Sequence, residues 1–335
     1  MVTNPRTDVV VSASIAFDHV MSFGGSFRDH ILETSSDVLS VSFLVDSLTK
    51  NRGGVGGNMA YSLALLGANT ALVGAVGVDF PPYGEALAAL GVDLSHVVMI
   101  PDDFTSNAYM NADQTGNQIN AFYPGAGSKS VAIDITEIAR QATYGVVSAT
   151  GPDAMIEHAR QIHAAGSKLV YDPAFQLVIL NAEQINEGIE MAEIVFGNEY
   201  EYEMIRNKTG RSIEEIAGST PIVVRTLAER GSEIRAGGEV ISIPPAKPVP
   251  FVDPTGGGDA YRPGFLKGML LGLDLPVVGR MAGLAATYAI EFHGTQEHFY
   301  TPAEFVSRFN REYPDFAGSV SADSLVPQVT SDSAA

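Results

Sequence analysis

Residues 251–265 read FVDPTGGGDAYRPGF, an apolar approach that ends in an acid, followed by three glycines, a second acid and a helix-like run. Parallel α/β sheets bind ligands at the carboxyl ends of their strands. We therefore expect residues 251–253 to end a strand, the glycines to form a loop, and Asp259 to lie in the first turn of a helix. Unobstructed backbone N–H groups at the positive end of a helix can hold an anion. A carboxylate beside that anion can take a proton from a hydroxyl group, so the stretch predicts phosphoryl transfer to an alcohol. A flexible turn in which the acid only caps the helix is the alternative that these residues leave open.

The rest of the chain has the alternation that such a site needs. Apolar runs typical of buried strands alternate with helical stretches, which predicts βαβ units and a central, mostly parallel sheet flanked by helices. The predicted strands are 8–15, 71–76, 145–149, 168–172, 194–197 and 221–226, and the predicted helices include 58–66, 83–90, 260–273 and 277–293.

Two polar, β-like segments interrupt this alternation, and we interpret them as a small sheet that projects from the main body. They cover about residues 20–52 and 101–125, with a half-buried strand predicted at 40–47. The Ser-rich segment 319–335 has no periodicity and is predicted to be a flexible tail. Residues 1–318 are therefore expected to form a single domain.

Composition excludes several classes of function. The 335 residues carry a formal charge of −19, which excludes a basic nucleic-acid-binding surface. The chain has no cysteine, so disulfides, thiolate metal sites and cysteine nucleophiles are excluded, and a reducing cytoplasm is favoured. No stretch reaches 18 uninterrupted apolar residues, and we predict no membrane span.

The stretch DPTGGGDA, residues 253–260, resembles the C-terminal signature of the ribokinase-like (PfkB) kinases, usually D-T-x-G-A-G-D. The likeness runs from residue 14 to about residue 305 and is closest to the bacterial adenosine kinases of this family. It implies a ribokinase-like three-layer fold with a small β-sheet lid. It also implies that Asp259 is the catalytic base and that the amides of Gly256, Gly257 and Gly258 form an anion hole. Gly257 stands where the family usually has alanine, which offers the same amide.

By this resemblance the acceptor is adenosine, phosphorylated by ATP at its 5′-hydroxyl to give AMP and ADP in purine salvage. The family's Gly-Gly pair followed by Asn lines the sugar pocket, and its early Asp grips two sugar hydroxyls. The residues implied to border the nucleoside are Asp18, Ser14, Ser42, Gly54, Asn58, Phe122 and Gln176. The run RGGVGGNMA, residues 52–60, is a poor dinucleotide fingerprint because its third glycine position is Met59.

Two departures from the adenosine kinases concern the base pocket. Phe175 stands where relatives often carry the first of two glutamines, and Ala108 stands near the place of a lid aromatic that only the adjacent Tyr109 offers. Inosine, guanosine or cytidine therefore stay open as acceptors, as does a free sugar. A sugar phosphate is disfavoured, since residues 101–128 contain no Lys or Arg. A nucleoside-binding protein without chemistry is disfavoured by the intact signature.

The resemblance also implies an ATP and metal site. Asn198 and Glu201 match the family's N-x-x-E motif, which holds Mg²⁺ largely through water. The residues implied to contact ATP are Asn198, Thr226, Gly231, Asp253, Gly256 and Gly258, with Ala228 in place of a usual glycine. Arg225 is interpreted either as a phosphate contact or as a surface charge. The loop at 291–297 resembles the one that adjoins adenine and, in many relatives, a monovalent cation, which leaves K⁺ open as a second ion. Pairing of two lids implies a homodimer.

Overall fold

The computed structural model describes residues 7–30 and 42–327, which contain two β-sheets. The strands are β1 (Val9–Ser12), β2 (Ala16–Phe23), β3 (Ser47–Gly53), β4 (Thr70–Val76), β5 (Asp93–Met99), β6 (Ser106–Asp113), β7 (Gln118–Tyr123), β8 (Tyr144–Val147), β9 (Lys168–Tyr171), β10 (Ile194–Asn198), β11 (Ile222–Thr226), β12 (Ser232–Ala236) and β13 (Glu239–Ile243). The helices are α1 (Phe27–His30), α2 (Val55–Leu65), α3 (Pro81–Ala89), α4 (Thr136–Gln141), α5 (Pro152–Ala165), α6 (Ala182–Met191), α7 (Glu199–Thr209), α8 (Ile213–Ser219), α9 (Gly257–Leu270), α10 (Leu275–Ala289) and α11 (Pro302–Glu312).

The larger sheet has nine strands in the order β13-β12-β11-β10-β9-β8-β1-β4-β5. Its strands from β11 to β5 in that order pair in parallel, and β12 and β13 are antiparallel additions at one edge. The predicted mostly parallel sheet is confirmed. Apolar runs in the sequence identify its central strands because both faces of a parallel sheet are covered by helices.

Helices cover both faces of this sheet, which makes three layers. Side chains of α2, α9, α10 and α11 pack on one face, and side chains of α5 to α8 pack on the other. Alternate residues of β1 enter the two cores, with Val9 and Val11 on one side and Val10 on the other. This alternation is the pleat of the strand acting through a sheet buried on both faces.

The smaller sheet has four strands in the order β3-β2-β6-β7. Its strand β2 pairs in parallel with β6 and antiparallel with β3, and β7 is antiparallel to β6. Asp113 links the far end of the sheet to α1, because its Oδ2 accepts a 2.9 Å hydrogen bond from the backbone N–H of Phe27. The second, separate sheet is confirmed.

Three local predictions are wrong. Residues 251–253 are not a strand, since the N–H groups of Val252 and Asp253 both donate to the carbonyl of Ile290 at the end of α10. Residues 42–46 are coil and the strand begins at Ser47; residues 40 and 41 of the predicted strand lie outside the described residues. The stretch 319–327 is not a detached tail, because Val320 and Leu325 are buried in the core; the rest of the predicted tail lies outside the described residues. Among the described helices, none has the length and apolar content to cross a membrane.

Candidate active site

Asp259 lies in the first turn of α9, as the sequence predicts. The turn before it is formed by Gly256, whose φ of 82° is in the left-handed region that glycine adopts without strain. The N–H of Gly257 donates to the carbonyl of Pro254 at 3.3 Å, so one of the three predicted anion-hole amides is engaged locally. Gly258 is exposed, directly before the half-buried Asp259. The unpaired N–H groups of this first turn remain available to an anion.

Asn58, on α2, holds the carboxylate of Asp259. Its Nδ2 donates to Asp259 Oδ2 at 2.8 Å, and its Oδ1 accepts from Thr295 Oγ1 at 2.8 Å and from Gln296 Nε2 at 2.9 Å. Gln296 also donates to the hydroxyl of Tyr83, which in turn donates to the carbonyl of Gly53 at 2.9 Å. Asn58 is 4% exposed. The family resemblance implies that Asn58 contacts sugar hydroxyls. In this structure, most of its hydrogen-bonding capacity is used by other protein groups.

Burial raises the pKa of Asp259 to about 6. Arg262 and the hydrogen bond from Asn58 oppose this shift, and the charges of Asp172 and Asp18 add to it. A carboxylate with this pKa is largely ionised at neutral pH and is a stronger base than an ordinary aspartate. The site therefore provides an oriented general base beside an anion-binding turn.

Asp18 lines a cleft between the small sheet and the main body, together with Asp253, Thr255 and Thr295. Burial raises its pKa. A Cβ on Gly53 would lie 2.1 Å from Asp18 Oδ2, so the glycine leaves the space that the carboxylate occupies. Gly54 precedes the first residue of α2, and Ser14 binds the start of that helix through a 3.1 Å bond from Val55 N to its Oγ. Sugar-contact residues predicted from separate segments are thus brought together.

One cross-strand row of the small sheet continues this surface. Asp18 is directly opposite Asn51 on β3 and Ala108 on β6, and Ala108 is opposite Phe122 on β7. Directly opposite residues project from the same face of a sheet. Phe122, 53% exposed, therefore shares the face of Asp18. Asn51, which the sequence analysis did not single out, belongs to the same row and lies near Gly294.

Tyr109 does not supply the missing lid aromatic. It is adjacent to Ala108 in sequence and therefore projects from the opposite face. There it stacks on His19, with ring centroids 4.6 Å apart. Ser42 is exposed in the coil before β3, and the structure gives it no contact with the residues above. Gln176 is 8% exposed, and its Oε1 has no hydrogen-bond partner among the described residues, while its neighbour Phe175 is 54% exposed.

The predicted ATP and metal residues follow the ends of β10 and β11. Asn198 caps α7 and forms a reciprocal capping box with Glu201, with bonds of 2.8 Å and 2.7 Å. Thr226 is directly opposite Asn198 in the sheet. Gly231 closes the following turn through a 2.8 Å bond from Leu227 N to its carbonyl, and Asp253 Oδ1 accepts from Thr255 N at 2.9 Å.

Arg225 forms an ion pair with Glu233 at 2.6 Å. His293, to which the sequence gave no role, is exposed.

The fit of a magnesium ion rests on the chemistry of the donors. No group of three or more acidic or histidine side chains within residues 7–30 and 42–327 is arranged to hold a metal by itself. Glu201 is half-buried, and burial together with the nearby Asp172 raises its pKa. A site that offers one or two carboxylate oxygens suits Mg²⁺, because this ion keeps several water ligands and binds substrate phosphates.

Sequence reasoning missed a buried ion pair beside the base. Asp172 follows the end of β9 and is 0% exposed; its Oδ1 accepts from Arg262 Nη2 at 2.6 Å and its Oδ2 accepts from Ser148 Oγ at 2.6 Å. Arg262 is one turn beyond Asp259 on α9. The sequence did carry a signal for both residues of this ion pair. Asp172 directly follows the apolar run of a strand, and Arg262 lies within the glycine-rich stretch 251–265. Thr295, Gln296 and Tyr83 gave no comparable signal, because their roles depend on contacts more than 200 residues apart in sequence.

Comparison with known proteins shows which family this chain resembles in sequence and in fold. The model of the pfkB family carbohydrate kinases matches residues 18–302. A nucleoside kinase of Methanothermobacter thermautotrophicus is 31% identical over 310 residues, covering 91% of this chain and 96% of that protein. The nucleoside kinase of Burkholderia thailandensis in complex with inosine superposes with a TM-score of 0.82 and 34% identity, over 91% of this chain and 98% of that one. The same protein in complex with ADP-inosine gives a TM-score of 0.80, with 91% and 96% covered. The fold is therefore ribokinase-like.

Proposed function

Because the chain belongs to the pfkB family of carbohydrate kinases, it is a phosphotransferase that acts on a hydroxyl group, and we propose that it transfers the γ-phosphoryl group of ATP to the 5′-hydroxyl of a nucleoside. Adenosine is the first candidate for the acceptor, and the products are then AMP and ADP. The observation that carries the proposal is the position of Asp18, which shares a sheet face with Phe122 and lies close enough to Asp259 for its charge to raise the pKa of that base. In one bound nucleoside, Asp18 then contacts the ribose hydroxyls and Phe122 contacts the nucleobase. Asp259 accepts the proton of the 5′-hydroxyl.

The proposed reaction begins with a nucleoside lying along the small sheet. Asp18 accepts hydrogen bonds from ribose hydroxyls, for which an ionised carboxylate is a strong acceptor. Phe122 stacks on the base, a contact worth roughly 1–3 kcal/mol per base. The buried Gln176, whose Oε1 lacks a partner among the described residues, is available to a polar group of the ligand.

Asp259 then takes the proton of the 5′-hydroxyl as the 5′-oxygen attacks the γ-phosphorus. The bond between that phosphorus and the β–γ bridging oxygen breaks, and ADP leaves with the electron pair. The amides of the glycine turn donate to the transferred group, and their contribution grows as charge develops on its oxygens. Asn58 keeps the carboxylate oriented throughout, through its 2.8 Å bond to Oδ2.

Magnesium belongs in this proposal as a partner of ATP. When bound, it neutralises charge on the phosphate oxygens. Glu201 and Asn198 are the residues that would hold it, largely through water, and their capping box fixes both side chains at the start of α7. Thr226, Gly231 and Asp253 are proposed to border the nucleotide.

Inosine is a second candidate acceptor, because the Burkholderia thailandensis structure that resembles this chain holds inosine. Phe175 adds to the case for an acceptor other than adenosine. It stands in place of a polar residue that adenosine kinases often carry beside the base, and its 54% exposure leaves it free to contact a ligand. Guanosine and cytidine remain part of the same test.

Two further features complete the proposal. We propose that the small sheet is a lid and that two lids pair in a homodimer, since its outer face carries exposed apolar side chains (Leu48, Tyr109, Ile119 and Tyr123). An ATP-consuming salvage reaction also belongs in the cytoplasm, the compartment that the absence of cysteine favours.

The experiment is ADP release by the purified protein with ATP and Mg²⁺, across adenosine, inosine, guanosine, cytidine, ribose and fructose. Turnover of one or more nucleosides well above the sugars is expected, with adenosine highest. The Asp259→Asn variant is the control that assigns the release to this site. Turnover confined to a sugar would refute the nucleoside acceptor, and turnover highest with inosine would replace adenosine with the second candidate.

A further inference from the structure

Arg262 forms an ion pair that is almost fully removed from solvent. Its Nη2 donates to Asp172 Oδ1 at 2.6 Å, and its Nε lies 2.5 Å from Asp172 Oδ2. The arginine is 9% exposed and the aspartate 0%. Ser148 donates to the same carboxylate at 2.6 Å, so the aspartate is fixed from two strand ends, those of β8 and β9. One edge of the guanidinium is thereby held in a single orientation.

The other edge of the guanidinium lies against the anion-binding turn. A Cβ built on Gly258 would lie 2.8 Å from Arg262 Nη1. Gly258 is therefore the residue that allows the cation to approach the turn. Nη1 has no acceptor among the described residues, whereas Nη2 donates to Asp172 and Nε lies in ion-pair contact with the same carboxylate. An arginine anchored on one side and free on the other presents a donor toward whatever the turn binds.

Three carboxylates lie near Arg262, and their arrangement bears on why a buried ion pair stands at this position. Asp172, Glu201 and Asp259 all lie near enough to raise the pKa of its guanidinium. Only one of these carboxylates is paired with it directly. A buried arginine–carboxylate pair contributes little net stability compared with apolar side chains of the same size, because both ions lose their hydration. Its position beside a phosphoryl-binding turn therefore has a functional explanation in the electrostatics of group transfer.

We propose that Arg262 is a catalytic residue of this enzyme, whose Nη1 donates a hydrogen bond to a non-bridging oxygen of the phosphoryl group while it passes from ATP to the acceptor. This inference rests on the proposed function. As the acceptor oxygen–phosphorus bond forms and the bond to the ADP oxygen breaks, the guanidinium keeps all its protons and the acceptor proton goes to Asp259. Asp172 is a positioning residue that holds the guanidinium against the turn.

The test compares four variants of the full chain. Arg262→Met removes the cation and nearly keeps its volume, and Arg262→Lys keeps the charge without the fork. Asp172→Asn/Arg262→Met removes both buried charges, which avoids leaving an unpaired buried carboxylate. Lys267→Met is the matched control, since it removes another buried cation of α9, one whose Nζ binds the carbonyl of Gly67 at 2.9 Å. Each is measured for kcat, for nucleoside KM and for thermal stability.

Arg262→Met is expected to lower kcat by about 10²–10³-fold, the usual effect of removing one oxyanion donor, with little change in nucleoside KM. The double variant should recover thermal stability and not kcat, and Arg262→Lys should recover part of kcat. The control should lose stability and keep kcat. If the double variant recovers kcat together with stability, Arg262 is structural and the proposal is overturned. The same conclusion follows if Arg262→Met keeps the kcat of the wild type.

A binding measurement separates this inference from the assignment of the acceptor. MgADP with aluminium fluoride imitates the transferring phosphoryl group and is titrated into the wild type and into the double variant. Tight binding by the wild type and a loss of about 10²-fold or more in the variant support Arg262 even if no tested nucleoside is turned over. Equal affinities for the two proteins overturn the role of Arg262. Failure of the wild type to turn over any nucleoside refutes the proposed acceptor alone.

Discussion

Asp259 combines the proposed chemistry with a thermodynamic cost. Its carboxyl group has a pKa of about 6 in the folded protein, raised above the ordinary value of 3.8 chiefly by burial. Folding therefore favours its protonated form. The resulting contribution to stability is fully present below about pH 4 and is lost as the pH rises through about 6, where the buried group ionises.

The Asp259→Asn variant is expected to be more stable than the wild type near pH 8 and to lose most of its turnover. The gain in the free energy of unfolding is at most about 3 kcal/mol, since one pK unit is worth about 1.4 kcal/mol. Loss of a general base lowers kcat by about 10²–10⁴-fold. Chemical denaturation of both proteins at about pH 8 and pH 4 checks the sign, because the gain should vanish at the lower pH. Equal stability at both pH values would contradict it.

The same pKa predicts the acid limb of the rate profile. For the wild type, kcat/KM should fall about tenfold per pH unit below about pH 6, as Asp259 becomes protonated. Asn58→Leu removes a hydrogen bond that lowers this pKa, so its limb should shift to higher pH. Thr295→Val removes a partner of Asn58 and keeps the bond to Asp259, and its limb should shift less. A limb at the same pH in all three proteins would show that another group controls the profile.

Ala228 has a backbone conformation that favours glycine. Its φ is 51°, in the turn between β11 and β12. Ala228→Gly should raise the free energy of unfolding by about 1 kcal/mol, the approximate cost of a left-handed alanine. The control is Ala88→Gly on the exposed side of α3, which should lower it by about 1 kcal/mol. Urea denaturation measures both, and a loss of stability in both variants would contradict the prediction.

At the scale of elements, strand β7 has two faces with different roles. Gln118, Asn120 and Phe122 project toward the face of Asp18, and the residues between them project away. Phe122→Ala should raise nucleoside KM by about 5- to 150-fold, equivalent to the roughly 1–3 kcal/mol of base stacking, with a smaller effect on kcat. Ile119→Ala, also exposed and on the other face, should leave KM close to that of the wild type. Equal effects of the two changes would contradict the assignment of faces.

The central strands of the main sheet were predictable from sequence, whereas its edge strands β5, β12 and β13 and strand β3 of the small sheet were not, for a physical reason. Strands β1, β4 and β10 are buried on both faces and appear as unbroken apolar runs. Strand β3 is mostly exposed and has the sequence SLTKNRG, which no simple periodicity identifies as a strand. Its position is fixed by pairing with β2, a long-range contact that local sequence does not encode.

The candidate site divides in the same way. Asp259 and the glycine turn were predictable, because a helix start and its turn are encoded within a few residues. The anchors of Asn58 were not, since Thr295 and Gln296 lie more than 230 residues away in sequence. The strand predicted at residues 251–253 failed because its N–H groups are satisfied by the end of α10.

At the scale of the whole molecule, the outer face of the small sheet predicts self-association. Leu48, Met21, Asn111 and Ile119 form one row across its four strands, and the two outer residues are 60% and 43% exposed. Exposed apolar sheet faces are protected by pairing with a second copy. The wild type should sediment as a dimer, and Leu48→Lys/Ile119→Lys should sediment as a monomer. Val240→Lys, an equally exposed site on β13, should remain dimeric, and a monomeric wild type would contradict the prediction.

The network that holds Asp259 is spread along the whole sequence, and this has a consequence for biosynthesis. Asn58 leaves the ribosome long before Thr295 and Gln296 exist, and the carbonyl of Leu325 approaches Gly67 so closely that a Cβ there would lie 2.2 Å from it. A nascent chain that ends before residue 295 therefore has Asp259 and its donor Asn58 without the two side chains that orient Asn58. We therefore expect the site to become ordered only after Thr295 and Gln296 emerge, and an arrested translation product that ends earlier to carry the glycine signature without activity.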